Sequence, residues 1–275
     1  MKTKLFILSL FLFLLTVSTS ASVKLSKDAT ISILTCSPGN ELYSLFGHTG
    51  IRVVDKANNM DIVFNYGTFD FDTQGFYFKF ARGLLPYQLS CSEFRRFLSS
   101  YIYDKRSVYS QTLNLDSIQK QYLMDLLIEN YQPANREYLY NFLYDNCSTR
   151  VRDIIEKSTG NQITWIAQPS TKSFWNLLDE YLGRSPWIQW GIHTILGSPA
   201  TSTATLREQM FLPDYLMYHL DSAAYNGTPL VQPIETVYEA PEQDLSTPWY
   251  FSPFFVFAIC TLALVSLLQK IKRDR

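Results

Sequence analysis

Two side chains in this sequence have the types and settings for nucleophilic chemistry. One is Cys147, in Tyr144-Asp145-Asn146-Cys147-Ser148-Thr149-Arg150; the other is His48, in Phe46-Gly47-His48-Thr49-Gly50. Asp145 and Asn146 are helix N-cap types. Val151, Ile154 and Ile155 would share one face of the helix that follows. Cys147 is therefore expected at or near a helix N-terminus, where free backbone N–H groups and the helix dipole favour a thiolate over a thiol. Arg150, about one turn along, adds positive charge. His48 is the base that the chain offers to that thiol. Asn65 is expected to return on the neighbouring strand to the level of His48. It is the candidate to hold the imidazole in one tautomer, the third role of a catalytic triad. Each residue has a plainer reading: a packed or disulfide-bonded cysteine, a polar residue at a strand end, a turn residue.

These residues need a sheet and a helix to meet. Ile31 to Cys36 reads as a strand, followed by a Ser-Pro-Gly-Asn turn and a short helix or loop to Phe46. Thr49 to Val54 is β-branched and strand-like, Lys56 to Asn59 a hairpin turn, and Asp61 to Gly67 the antiparallel return. Phe76, Phe78 and Phe80 would share one face of an aromatic strand. Leu84 to Ser90 reads as a strand that Pro86 assigns to an edge or a bulge. A helix over Ser92 to Tyr103 and a strand over Arg106 to Leu113 follow. Asp116-x-x-Gln119 resembles a capping box and opens a helix with Ile118, Tyr122, Leu126 and Leu127 at helical spacing. Beyond the Cys147 helix, Lys172 to Leu182, Pro186 to Leu196 and Thr205 to Ala224 read as helices. His193 and His219 fall within them, as packed or solvated residues.

The chain has 275 residues, 47% of them hydrophobic, and a formal net charge of -1. That suffices for one core and argues against nucleic acid as a main partner. The four cysteines make no disulfide framework in a chain of this length, although a Cys36–Cys91 bond is open to an exported domain. The three histidines are scattered, and no cofactor or metal site is expected. Residues 1–21 read as a secretory signal, with Lys2 and Lys4 before an apolar run and small residues at its end. Residues 22–224 read as the exported domain and 225–247, rich in Pro and Glu, as a linker. Residues 248–269 are apolar and long enough to span a bilayer. Trp249 and Tyr250 stand at one interface and Lys270, Lys272, Arg273 and Arg275 at the other. That places residues 270–275 in the cytoplasm and the body outside it.

A histidine on an early strand, a polar residue on the next and a cysteine at a later helix start resemble the circularly permuted papain-like thiol fold, related to NlpC/P60-like enzymes. The stretches Leu34-Thr35-Cys36-Ser37-Pro38-Gly39, Tyr43 to Thr49, Val63 to Phe71, Lys79 to Gly83, Tyr144 to Arg150 and Met210 to Tyr215 are similar to the Lnb-type periplasmic domain of bacterial lipoprotein N-acyltransferases. The resemblance implies an α+β fold with an antiparallel sheet and packed helices, plus the C-terminal transmembrane helix. It implies Cys147 as nucleophile, His48 as base and Asn65 as the residue orienting it. The expected activity moves an acyl chain from a membrane phospholipid to the N-terminal amine of a lipoprotein, at the periplasmic side of the inner membrane. Backbone N–H groups at the helix start would hold the oxyanion. Two alternatives stay open: a thiol hydrolase of the same fold acting on peptidoglycan amides or lipid esters, and a non-catalytic envelope domain that binds lipid or a partner.

Overall fold

The computed structural model describes residues 23–69, 74–75, 79, 85–166, 171–183, 185–241 and 248–274. The expected signal segment, and most of the aromatic strand expected over 69–80, lie outside them. Strand β1 (Thr30–Cys36) is almost wholly buried, so its run of Ile, Leu and Cys can serve both faces of a sheet. It pairs antiparallel with β2 (His48–Asp55), which turns through Lys56–Asn58 into β3 (Met60–Thr68). Asn59 closes that turn in the left-handed region, at φ 51°, which asparagine tolerates better than most residues. Strand β4 (Pro86–Glu93) follows, then helix α1 (Phe94–Tyr103), β5 (Val108–Thr112), α2 (Ser117–Tyr131) and β6 (Glu137–Leu139). Next come α3 (Cys147–Ser158), β7 (Ile163–Thr164), α4 (Phe174–Leu182), α5 (Pro186–Leu196), α6 (Leu206–Gln209) and α7 (Pro213–Ser222). Short strands β8 (Ala224–Tyr225), β9 (Thr228–Pro229) and β10 (Glu235–Tyr238) precede α8 (Pro253–Arg273).

Among the described residues seven strands form one antiparallel sheet in the order β10-β5-β1-β2-β3-β4-β6. Alternation along β1 sends Ile31 and Ile33 to one face and Leu34 and Cys36 to the other. The first face packs on α2 and α3 through Leu123, Leu127, Val151 and Ile155. The second packs on α1 through Phe97 and Tyr101. Val151 and Ile155 are fully buried; each contributes about 1.5–3 kcal/mol to seating α3 on the sheet. A separate core joins α4 to Leu45, Phe211 and Leu212, with Phe46, Phe142 and Leu143 at its margin. It therefore braces both the turn before His48 and the loop before Cys147.

Several expectations change. Pro86 stands at the first residue of an interior strand, paired to Leu139; proline is tolerated there because the ladder is only starting. The irregularity lies on the neighbouring β3, between Asn65 and Thr68. In α2 the Asp116–Gln119 capping box forms, but Ile118 and Tyr122 face solvent and Leu123, Met124, Leu126 and Leu127 make the buried face. The helix expected over Thr205 to Ala224 is two helices, because Pro213 starts α7 and cannot continue α6. The segment read as a linker from residue 225 begins with strands, and β10 pairs with β5 as an edge of the main sheet. All four cysteines are free. Cys36 on β1 and Cys91 on β4 are held apart by β2 and β3, so their bond does not form.

Candidate functional site

Asn146 is why Cys147 is the first residue of α3. Its backbone is extended, and its side-chain oxygen accepts from the N–H groups of Ser148 (2.9 Å) and Thr149 (3.0 Å). Thr149 Oγ1 accepts from the N–H of Asn146 in return, at 2.8 Å, which completes a capping box. The amide nitrogen has a second task. Nδ2 donates to the carbonyls of Phe142 (2.8 Å) and Phe211 (2.9 Å), tying the helix start to two other segments. Two of the N–H groups expected to serve an oxyanion are thus already used. The N–H of Cys147 itself is the one that remains at the helix start. Arg150 bonds Asp145 through Nε and Nη2 at 2.6 and 2.8 Å, and its guanidinium lies 3.6 Å above the Tyr138 ring. Its charge is matched by a carboxylate rather than left for the thiol.

His48 is the first residue of β2. Gly47 before it has φ 80°, and a Cβ there would come within 2.7 Å of the Cys36 carbonyl, so the turn needs glycine. The β2–β3 hairpin returns Asn65 beside the imidazole, and His48 Nε2 bonds Asn65 Oδ1 at 2.5 Å. An amide oxygen only accepts, so Nε2 donates and the other ring nitrogen, Nδ1, is free to face the thiol. Cys147 makes a side-chain hydrogen bond with His48. The structure therefore brings Cys147, His48 and Asn65 together, with Asn65 bonded to the imidazole and the imidazole beside the thiol. His193, stacked on Trp175 at 4.6 Å and 2.8 Å from Asp179, takes no part in it; nor does His219, whose half-buried ring sits on α7.

Burial is the largest influence on the Cys147 thiol and would raise its pKa. The His48 charge, the His48 hydrogen bond, the N–H of Thr49 and the Ser148 hydroxyl together outweigh it, and the thiol lies below its ordinary value. Thr49 Oγ1 also bonds Ser148 Oγ at 2.8 Å in a buried contact, which locks β2 to α3. Around the sulfur, Tyr87, Tyr138 and Tyr140 have phenols pushed up by burial first and by the Cys147 charge second. They stay protonated at neutral pH, and Tyr87 stacks on Tyr140 at 4.1 Å. Gly67, at φ 99°, lies over the pair: a Cβ there would stand 3.5 Å from His48 Cε1 and 3.6 Å from the Cys147 Cβ. Among the described residues no group of His, Cys, Asp or Glu is placed to hold a metal ion.

Thr49, Ser148 and Gly67 were not singled out from sequence. The Asn-x-x-Thr spacing at 146–149 is a capping signal that was there to read. Gly67 had no comparable signal, because its role depends on where two other elements end.

No curated protein and no solved structure matches the chain. One family model does, the Lnb N-terminal periplasmic domain, over residues 19–179. That is more than half of the chain and runs from before β1 into α4, including His48, Asn65 and Cys147. Met210 to Tyr215, part of the resemblance in sequence, lies beyond it. On that match the chain belongs to the Lnb N-terminal periplasmic domain family.

Proposed function

We propose that this protein is a cysteine acyltransferase of the bacterial envelope, tethered to the inner membrane by α8. It moves an acyl chain from a membrane phospholipid to the N-terminal amine of a lipoprotein. The observation that carries this reading is the chain Cys147–His48–Asn65, with a thiol held below its ordinary pKa despite burial. The order of histidine strand, asparagine strand and cysteine helix supports the reading of a permuted papain-like enzyme. Helix α8 is long and apolar enough to cross a membrane, and apart from Pro253 at its start none of it is buried in the protein.

In the first half-reaction His48 Nδ1 takes the thiol proton and the sulfur attacks an acyl ester carbonyl. The N–H of Cys147 donates to the oxyanion. The ester C–O bond breaks, the lysophospholipid alkoxide leaves with the proton from His48, and the acyl group stays on sulfur as a thioester. In the second half an amine attacks that thioester and His48 accepts the amine proton. The C–S bond then breaks and the proton returns to the thiolate. Positioned base catalysis contributes about 10²–10⁴ in rate and an oxyanion donor about 10²–10³. Asn65 acts through His48, by keeping its proton on Nε2.

The test is the mass of a model lipoprotein from cells that lack their own N-acyltransferase, with and without this gene. An added N-terminal acyl chain, lost with Cys147→Ser, supports transfer. A free amine throughout, with purified protein releasing fatty acid to water, refutes transfer in favour of hydrolysis.

A further inference from the structure

Helix α5 departs from the pattern of a surface helix. Its eleven residues, Pro-Trp-Ile-Gln-Trp-Gly-Ile-His-Thr-Ile-Leu, include no Lys, Arg, Asp or Glu. A helix on an aqueous surface normally turns a charged face outward. One side of α5 is accounted for: Ile188, Ile192 and Leu196 pack on the second core, and Gln189 Nε2 bonds Asp179 of α4 at 2.7 Å. The outward side carries Trp190 and Ile195, 52% and 64% exposed.

What lies beside that outward side decides its partner. Trp187 Nε1 donates to the carbonyl of Phe251 at 2.6 Å, just before α8 begins. The rings of Trp187 and Trp190 both meet Phe257, with centroids 5.7 and 5.6 Å away. Phe257 is four residues into α8, roughly 6 Å along its axis at 1.5 Å per residue. Wherever the first turns of α8 enter a bilayer, Trp190 is therefore at the same level. Tryptophan is the side chain that favours that depth, with its ring among the acyl chain ends and its N–H towards polar groups.

We propose that α5 is an interfacial helix that lies in the outer part of the same bilayer that α8 spans, with Trp190 and Ile195 among the lipids. This rests on the reading of α8 as a membrane span. It gives the tether a second point of contact, so the domain is held in one orientation rather than swinging on a linker. The core behind α5 also holds Phe46 and Phe142. The seated helix thus braces the approaches to His48 and Cys147 against the membrane that supplies the proposed acyl donor.

The experiment uses the full chain in phospholipid vesicles containing a phosphatidylcholine with a diazirine in its acyl chain. After irradiation, lipid adducts are mapped to peptides. Labelling of 186–196 together with 253–265, and none on α2, is the expected result; Ile118 on α2, 80% exposed, is the control for apolar exposure alone. Ile195→Asp should reduce labelling of 186–196 severalfold and leave that of α8 unchanged. Labelled α8 with unlabelled α5 overturns the proposal while the span stands. No labelling of either overturns both. Crosslinks between two chains through α5, in place of lipid adducts, assign this face to a second copy and also overturn it.

Discussion

Asn146→Asp should be costly, although at an ordinary N-cap these two residues are nearly equivalent. Aspartate keeps an oxygen for the N–H groups of Ser148 and Thr149. It loses the Nδ2 that donates to Phe142 and Phe211, and sets a carboxylate oxygen about where that nitrogen now lies 2.8 and 2.9 Å from their carbonyls. The site is 97% buried, with 3% exposed, so water does not replace the lost donors. Each buried acceptor left without a donor costs about 1–3 kcal/mol. The added charge at the helix N-terminus returns up to about 1 kcal/mol. The two carbonyls together cost about 2–6 kcal/mol, so the net loss is about 1–6 kcal/mol, which at roughly 2–4 °C per kcal/mol for a domain of this size is on the order of 10 °C in Tm. The loss should shrink at acid pH, where a protonated carboxyl can donate to one carbonyl. A carboxylate next to Cys147 should also raise the thiol pKa and slow its alkylation at pH 7. The assay is thermal unfolding of the full chain in detergent at pH 7.5 and at pH 4.5. A variant melting within about 2 °C of wild type at pH 7.5 would refute the two-sided role of Asn146.

Three further outcomes are expected. Alkylation of Cys147 should reach half its maximal rate below the ordinary thiol value of 9.0, and His48→Gln should move that midpoint up, since burial then acts with less opposition; an unmoved midpoint contradicts the contact. Cys36 is pushed up to about 12, chiefly by burial, from 9.0. An unfolded thiol ionises first, so this contribution is intact below about pH 9 and is lost between about 9 and 12, at about 1.4 kcal/mol per pH unit. Wild type should therefore lose more Tm than Cys36→Ala between pH 8 and pH 10.5, and equal losses would refute it. Gly67→Ala should cost about 1–2 kcal/mol because its φ is in the left-handed half of the map. It should also slow alkylation of Cys147 by N-ethylmaleimide more than by iodoacetamide, since the new methyl fills space beside the imidazole and the Cys147 Cβ.

What could be read in advance was local. Asn146 before an amphipathic run placed Cys147 within the first turn, and a β-branched strand, a short turn and a return strand brought Asn65 to His48. Helix α5 has the bounds its Pro186 and Gly197 suggest. What escaped depends on contacts between distant segments. Helix α2 is apolar on more than one side, and only the sheet above it selects Leu123 and Met124 over Ile118 and Tyr122. Strand β10 is four residues long, polar in composition, and becomes a strand because β5 offers an open edge. Asn146 was legible as a cap, but its bonds to Phe142 and Phe211 join it to residue 211 across 65 positions. Arg150 was read as positive charge for the thiol, and Asp145, five residues earlier, takes that charge instead.

The claim at the centre is that Cys147 carries an acyl chain, and intact mass of the protein after incubation with phospholipid tests it most directly. The account predicts a gain of one acyl chain that is released by hydroxylamine, absent from Cys147→Ala and much reduced in His48→Gln. An unchanged mass in wild type under conditions where lipoprotein is acylated, or the same gain in Cys147→Ala, would contradict it.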